Sequence, residues 1–470
     1  MGYRYLLKHQ GWRLFLAIFP LMALWSLANP IFASPDEPAH LVRSQGVVVG
    51  RFSGPFATDG IPVADISCLN FQPEATADCM PLAWVKNGPE VHSSADNYPP
   101  LYHFVAGLPS LVVSGLFGAH VMRLWSAVVC AALFVFAGLL LYERYPSGFV
   151  VTGWVLSITP MVVFLSATVN PSGMTAALCS VIWASVMLLA SAKGEEVKKY
   201  RIIFCLSILA FLFVRRDSIL WIVVILFCYG LLRGNKFLFS LQRVGKRTWA
   251  VLAGFLSLAL WQWILPVIPE ALARENIERN RVTAVFNDTL SYYRGAIGWF
   301  GWQDTPLPWG AVIFSVALLG SFLVLGFVTA GRLRKQALFL VTLCMFSIPL
   351  IIAELQYPYF QGRYYFPLFV GVFLVAGVAL AEAGFSHALE KKVVAVFLFG
   401  WGVLQVWGFG VNLLRYSPGD TLAEVAGTPL TWSIVEFTNL IYFILFCISI
   451  IFSVFLLFSF SKHQENVRCD

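Results

Sequence analysis

Charge is what this sequence has least of. Only 12% of its 470 residues are Asp, Glu, Lys or Arg, against roughly 25% in a soluble globular protein. That excludes a soluble enzyme, a disordered chain and a disulfide-rich secreted module. It leaves a membrane channel, a transporter or a membrane enzyme. Short metal and redox motifs are also missing: there is no CxxC, no HExxH and no repeated unit. No internal inverted repeat of the kind common in transporters is visible. Cysteine is scarce outside the apolar runs. Of nine, only Cys68 and Cys79 fall in a polar segment on the expected outer side. In an oxidising compartment these two either pair or stay free. The other seven are expected to pack.

What is abundant is apolar surface. Hydrophobic residues make up 59% and aromatics 16%, and the mean hydropathy is +0.75. The net charge of +7 does not indicate nucleic acid, because the basic residues sit in short loops between apolar runs, where they orient a membrane protein. A crossing helix needs about 20 apolar residues. Stretches that qualify are 14–35, 124–142, 248–269, 305–331, 336–353, 364–381, 393–414 and 437–461. The run 145–192 holds two more, with Asn170-Pro171-Ser172-Gly173 as the turn between them. Segments 202–214 and 218–232 add a pair that meets at Arg215-Arg216-Asp217 near the outer surface. The expected fold is an all-α polytopic membrane protein of about 12 transmembrane helices, forming one integral membrane domain over 1–470.

Residues 97–118 carry no formal charge and are the ambiguous segment. With twelve spans and a cytoplasmic N-terminus, 20 of the 32 Lys and Arg lie inside. A crossing at 97–118 would reverse that bias, so this stretch is expected to lie at the outer interface. Both termini are then cytoplasmic. The first apolar run is too long for a signal-peptide core and is expected to be retained. Two outer segments remain: a first loop over 34–118 with interfacial helices, and a second over 270–304.

Four features of the outer segments could carry chemistry. The first is Ser34-Pro35-Asp36-Glu37-Pro38-Ala39-His40, at the exit of the first span. Ser34 as N-cap, Pro35 at N1 and Glu37 at N3 spell a capping box. A cap does not account for adjacent carboxylates and a His at the mouth of a bundle, where unpaired carboxylates are costly. Asp36 or Glu37 could instead act as a general base, and the D-E-x-x-H spacing could hold a divalent cation. The second is Asn97-Tyr98-Pro99-Pro100-Leu101-Tyr102-His103, either an interfacial anchor or the wall of a sugar or lipid pocket. The third is a set of outer-face arginines: Arg123, Arg215, Arg216 and Arg363. They either snorkel to lipid phosphates or grip the phosphate of a lipid-linked substrate with a bidentate fork. The fourth is Gly298-Trp299-Phe300-Gly301-Trp302-Gln303-Asp304-Thr305-Pro306-Leu307-Pro308. It reads as an interfacial aromatic belt or as a shaped loop over a site.

Together these pieces resemble a family of bacterial polytopic membrane proteins (domain of unknown function 2142). The resemblance rests on Pro35-Asp36-Glu37-Pro38-Ala39-His40, Tyr98-Pro99-Pro100-Leu101-Tyr102, Asn170-Pro171-Ser172-Gly173, Gly301-Trp302-Gln303-Asp304-Thr305-Pro306-Leu307-Pro308 and Gln361-Gly362-Arg363-Tyr364-Tyr365-Phe366-Pro367, in that order. It covers about residues 12–385. The family often has Asp where this chain has Ser172. That family looks like a branch of the C-type glycosyltransferase superfamily. The resemblance implies a bacterial inner-membrane enzyme with its site facing the periplasm or exterior. It implies a polyprenyl-phosphate sugar donor and a glycan or lipid-linked acceptor. Asp36 is then the catalytic base and Glu37 its partner. His40, Tyr98, Tyr102, His103, Arg123, Arg215, Arg216, Trp302, Gln303, Asp304, Gln361, Arg363 and Tyr364 are the expected substrate contacts. No residue is assigned to a metal, and a divalent cation is left open. A lipid-linked glycan transporter or flippase is the alternative; it would place polar groups near the midplane on broken helices.

Overall fold

The computed structural model describes residues 2–56, 69–79, 90–233, 281–356, 360–419 and 421–460, with the isolated positions 253, 254 and 257. Within them the chain is helical almost throughout. Helix α1 (Gly2–Ala28) crosses the bundle, short helices α2 (Glu37–Val48) and α3 (Pro100–Gly107) cover one end, and α4 (Gly115–Arg144) crosses back. There follow α5 (Gly148–Leu156), α6 (Pro160–Ser166), α7 (Pro171–Ser191), α8 (Glu196–Leu212) and α9 (Ser218–Arg233). Beyond residue 280 come α10 (Arg281–Ile297), the hairpin β1 (Trp299–Phe300) and β2 (Thr305–Pro306), α11 (Trp309–Thr329) and α12 (Arg332–Gln356). A 3₁₀ turn over Gly362–Tyr365 leads into α13 (Phe366–Glu382), and α14 (His387–Tyr416), α15 (Leu422–Gly427) and α16 (Asn439–Ser459) complete the chain.

Among the described residues eight helices are long and apolar enough to cross a membrane, or nine if α5 and α6 are one bent span. The expected twelve are not reached among the described residues. Segment 248–269 lies outside the described residues apart from 253, 254 and 257. Helices α8 and α9 have 17 and 16 residues, about 24–26 Å at 1.5 Å per residue, short of a hydrocarbon core of about 30 Å. The first turns of α8 are also spent on Glu196, Lys198, Lys199 and Arg201. The two do meet at Arg215–Asp217, where Leu101 N donates to Phe213 O at 3.2 Å. Residues 97–118 contain α3, a 3₁₀ turn over Leu108–Leu111 and the start of α4, with no crossing helix.

The bend between α5 and α6 is 69° and follows from Pro160, which has no N–H to continue the helix. Thr159 caps the restart by accepting from Val162 N at 3.3 Å. The freed carbonyl of Ile158 is taken up by Trp401 Nε1 at 2.9 Å and Gln405 Nε2 at 2.8 Å, both on α14. The break is thus closed by side chains inside the bundle.

Helices α7 and α13 are enclosed by the others, and small residues let backbones approach there, as in membrane bundles generally. A Cβ on Gly153 of α5 would lie 2.4 Å from Phe373 O on α13. Trp183 of α7 crosses to α13 and donates Nε1 to Pro367 O at 2.7 Å. Gly153→Val is expected to lower the melting temperature of the detergent-solubilised protein through overpacking worth about 1–3 kcal/mol. A melt unchanged by the substitution would show that α5 and α13 are not in this contact.

Candidate functional site

The end of the bundle where α1 stops and α4, α7, α11 and α13 begin gathers nearly every polar motif of the sequence. Its organising contact joins Glu37 to Arg123. Both side chains are fully buried. Arg123 Nε donates to Glu37 Oε1 at 2.6 Å and Nη2 to Oε2 at 2.5 Å. Its remaining N–H groups go to the carbonyls of Ser26, Asn29 and Pro30 at 3.2, 2.6 and 2.8 Å. All five guanidinium donors are therefore used. Several of those carbonyls close the C-terminal end of α1, where a cation is favourable. Glu37 in turn accepts from Phe32 N and Val169 N, each at 3.1 Å.

This placement corrects three expectations. Glu37 is not a reacting partner of Asp36, because its carboxylate faces into the bundle and both oxygens are occupied. Arg123 has no donor left for a phosphate. The Ser34 capping box does not form either. Asp36, at φ 61°, is the N-cap of α2 and makes no capping bond with its side chain, while Ser34 Oγ meets Thr168 Oγ1 at 3.2 Å. The left-handed backbone at Asp36, tolerated by a short polar residue, separates two neighbouring carboxylates: Glu37 goes inward and Asp36 outward.

Asp36 is 42% exposed and pairs with Arg363 Nη2. Arg363, itself only 3% exposed, leaves the 3₁₀ turn before α13. Gly362 makes that turn possible: a Cβ there would lie 2.0 Å from Tyr292 O on α10. The Tyr364 ring sits between two guanidinium groups, 5.5 Å from that of Arg363 and 4.8 Å from that of Arg215. Arg215 donates Nε to Asp217 at 2.7 Å and Nη1 to Ser172 Oγ at 3.2 Å. Arg216 donates to Asn97 O at 2.6 Å and lies over the Tyr98 ring. The structure therefore brings Asp36, Arg215, Arg363, Tyr364 and Ser172 into one cluster, with Arg216, Tyr98 and His40 beside it.

His40 lies one helical turn after Asp36 and is 2% exposed. Its Nδ1 meets His103 Nε2 at 3.1 Å, and His103 Nδ1 meets Pro99 O at 3.2 Å. A carbonyl only accepts, so His103 carries its proton on Nδ1 and takes the one from His40 Nδ1. Burial pushes both imidazoles well below their ordinary value of 6.5. Arg363, Arg215 and Arg43 push His40 further the same way, and His40 and Arg43 do so for His103. Burial likewise raises the Tyr98 hydroxyl to about 12.

The family described as Predicted membrane protein (DUF2142) matches residues 19–372, a range that contains all five short motifs. The chain belongs to that family. Among curated proteins, none matches it.

In this DUF2142 protein several expected contacts turn out to hold the scaffold. Tyr102 is buried against Ser126, at 3.5 Å. Trp302 Nε1 donates to Phe32 O at 2.9 Å. Asp304 is buried and pairs with Arg415 at 3.2 Å, and Arg415 also holds Gln72 O and Ala75 O of the first loop. These residues order the loops around the cluster and do not face it as ligands. Gln303, at φ 63°, and Gln361 line a cavity beside Arg363. Cys79 is disulfide-bonded; Cys68 lies outside the described residues. Among the described residues no three His, Cys, Asp or Glu side chains form a metal-binding group. The D-E-x-x-H spacing does not form one, because Glu37 turns away from Asp36 and His40.

Sequence reasoning missed Arg43 and Arg415, and named Asp217 and Trp299 only as parts of the Arg215-Arg216-Asp217 turn and the Gly298–Pro308 loop. Arg43, on α2, holds the segment before α3 through Tyr98 O at 2.5 Å and the chain leaving α2 through Phe52 O at 3.0 Å. Asp217 was legible as the carboxylate next to two arginines. Nothing local marks Arg415, whose hydrogen-bond partners lie 111 and more residues away.

Two predictions follow from the buried groups. Arg123→Leu or Glu37→Leu leaves one uncompensated buried charge and should cost about 3–5 kcal/mol of stability in a denaturant titration, with the double variant recovering part of it. Equal stability of all four proteins would contradict the burial. The neutral histidines set a pH dependence. With folded values depressed, their stabilising contribution is full above pH 6.5 and is lost as pH falls toward the folded values. Between pH 7.5 and 5.5 the melting temperature should fall. His40→Gln/His103→Gln should flatten that slope.

Proposed function

We propose that this protein is a membrane glycosyltransferase that moves a sugar from a polyprenyl-phosphate donor to a glycan or lipid-linked acceptor. The observation that carries the reading is the half-exposed carboxylate of Asp36, held by the buried guanidinium of Arg363 beside Arg215 and Tyr364. Such a transfer needs a base for the acceptor hydroxyl and cations for the departing phosphate. Asp36 fills the first role, and Arg363 with Arg215 the second. The acceptor oxygen attacks the anomeric carbon as its proton passes to Asp36. The bond from that carbon to the phosphate oxygen breaks, and the polyprenyl phosphate leaves with the electron pair. One displacement inverts the anomeric carbon. The resting Asp36–Arg363 pair suits the sequence of events: a phosphate that draws Arg363 toward itself frees Asp36 to take the proton.

Two further features support it. An apolar groove of about 480 Å³ runs between α3 and α8, lined by Phe52, Leu101, Phe104, Leu206 and Phe213. It opens beside the Arg215–Asp217 turn and is suited to a lipid chain. At the opposite end of the bundle lie Arg144, Lys198, Lys199, Arg334, Lys391 and Lys392, a charge bias that favours a cytoplasmic location for that end. The cluster then faces the periplasm or exterior of a bacterial inner membrane, and both termini are cytoplasmic. By this reading the protein adopts the fold of the C-type glycosyltransferases.

A flippase or transporter is the second reading, and the broken α5–α6 span is the observation in its favour. Against it, the freed Ile158 carbonyl is already taken by Trp401 and Gln405. The charged cluster also lies at one end of the bundle.

The test is release of polyprenyl phosphate from a panel of polyprenyl-phosphate sugars by the lipid-reconstituted protein. Asp36→Asn should reduce acceptor-dependent release at least a hundredfold while the protein still folds. Full activity in that variant would remove the base assignment. Arg363→Ala should weaken donor binding more than Arg363→Lys, since Lys keeps the charge but not the fork.

A further inference from the structure

Beside Arg363, on the side of α10 and the hairpin, lies a cavity of about 240 Å³. Met161, Tyr292 and Phe360 give it apolar walls, while Asp288, Ser291 and Gln303 add polar ones. Sites for drug-sized ligands run to roughly 300–1,000 Å³, so this one suits a single ring or headgroup and not a lipid chain. Its lining carries an unusual concentration of buried polar atoms without a hydrogen-bond partner among the described residues. They are Arg363 Nε and Nη1, Trp299 Nε1 and Gln361 Oε1. Buried polar groups in folded proteins are nearly always paired, and an unpaired buried cation is the costliest case. Asp36 engages only Nη2 of Arg363, which leaves the other two nitrogens unpaired. The arrangement is also built with care. Gly295 and Gly362 pass close enough that a Cβ on Gly295 would lie 3.3 Å from Gly362 Cα, and this contact sets Arg363 against α10.

We propose that this cavity binds a hydroxylated oxyanion headgroup, a sugar-sized polyol bearing a phosphate or carboxylate. The anionic oxygens accept from Arg363 Nε and Nη1 and from Trp299 Nε1, and a hydroxyl donates to Gln361 Oε1. Asp288 lies seven residues before Gly295 on α10, about 10 Å along the axis. There it accepts from hydroxyls away from the charged group, with Ser291 one turn nearer. The inference rests on the transferase reading in giving Arg363 an anionic ligand. It adds where that ligand lies and names Trp299 and Gln361 as its recognition residues.

The experiment is calorimetric titration of the lipid-reconstituted full chain with glucose, galactose and mannose 1-phosphates, with glucuronate, with the free sugars and with inorganic phosphate. At least one sugar phosphate or glucuronate should bind tenfold or more tighter than the free sugars and inorganic phosphate. Which of them does so identifies the anion as phosphate or carboxylate. Trp299→Phe keeps an aromatic ring and removes the indole N–H, so it should weaken binding about tenfold with little change in the melt. Arg363→Gln should weaken it more. Asp36→Asn should keep binding within a few-fold while abolishing transfer. No binding by any compound, equal binding of free sugars, equal binding of inorganic phosphate, or unaltered affinity in Trp299→Phe would each overturn the proposal. Transfer activity without headgroup binding would overturn it and leave the transferase reading standing. Headgroup binding without transfer would do the reverse.

Discussion

The Glu37–Arg123 pair is the contact on which this end of the bundle depends. A guanidinium with five donors is placed where five acceptors converge, and four chain segments supply or surround them: the end of α1, the start of α2, α4 and the turn before α7. Pairing at this depth is not a source of large net stability, because both charges lose their water. Its effect is specificity. Any register of α2 that misses Arg123 leaves a bare carboxylate among apolar side chains, so the direction in which the chain leaves α1 is decided. That decision sends Asp36 outward, to Arg363.

Around this fixed point the cluster is built on unequal partnerships. Arg123 is saturated, Arg215 is paired with Asp217 and Ser172, and Arg363 keeps one partner and two free nitrogens. The three arginines looked alike in the sequence, since each stands at the edge of an apolar run. Only their neighbours in space separate a brace from a ligand-binding group. Tyr364, between Arg215 and Arg363, presents a ring face to each cation and keeps two like charges near one another without direct contact.

Much of this was legible and some was not. The helical membrane class followed from charge scarcity and run length, the turn at Asn170-Pro171 from local chemistry, and the non-crossing 97–118 stretch from the distribution of Lys and Arg over the whole chain. The bent α5–α6 pair was hidden because hydropathy is blind to a proline that keeps the run apolar. The capping box failed for a related reason. Its spacing is a local rule, and Glu37 answered instead to Arg123, 86 residues away. Asp36, Arg363 and Tyr364 were recognisable as polar residues at span ends. Trp299 was not singled out, because an indole beside a membrane is ordinary until its N–H is found buried and unpaired.

The Asp36–Arg363 contact joins residues 327 positions apart, and this has a consequence for how the protein is made. At roughly 5–20 residues per second, the ribosome reaches Arg363 about 16–65 s after Asp36. Glu37 waits a far shorter time for Arg123. The first loop therefore acquires its internal brace early, while its outward carboxylate stays hydrated at the membrane surface until α13 arrives. The cluster is completed late in synthesis, so a chain truncated before α13 would insert and brace its first helices yet hold no working site.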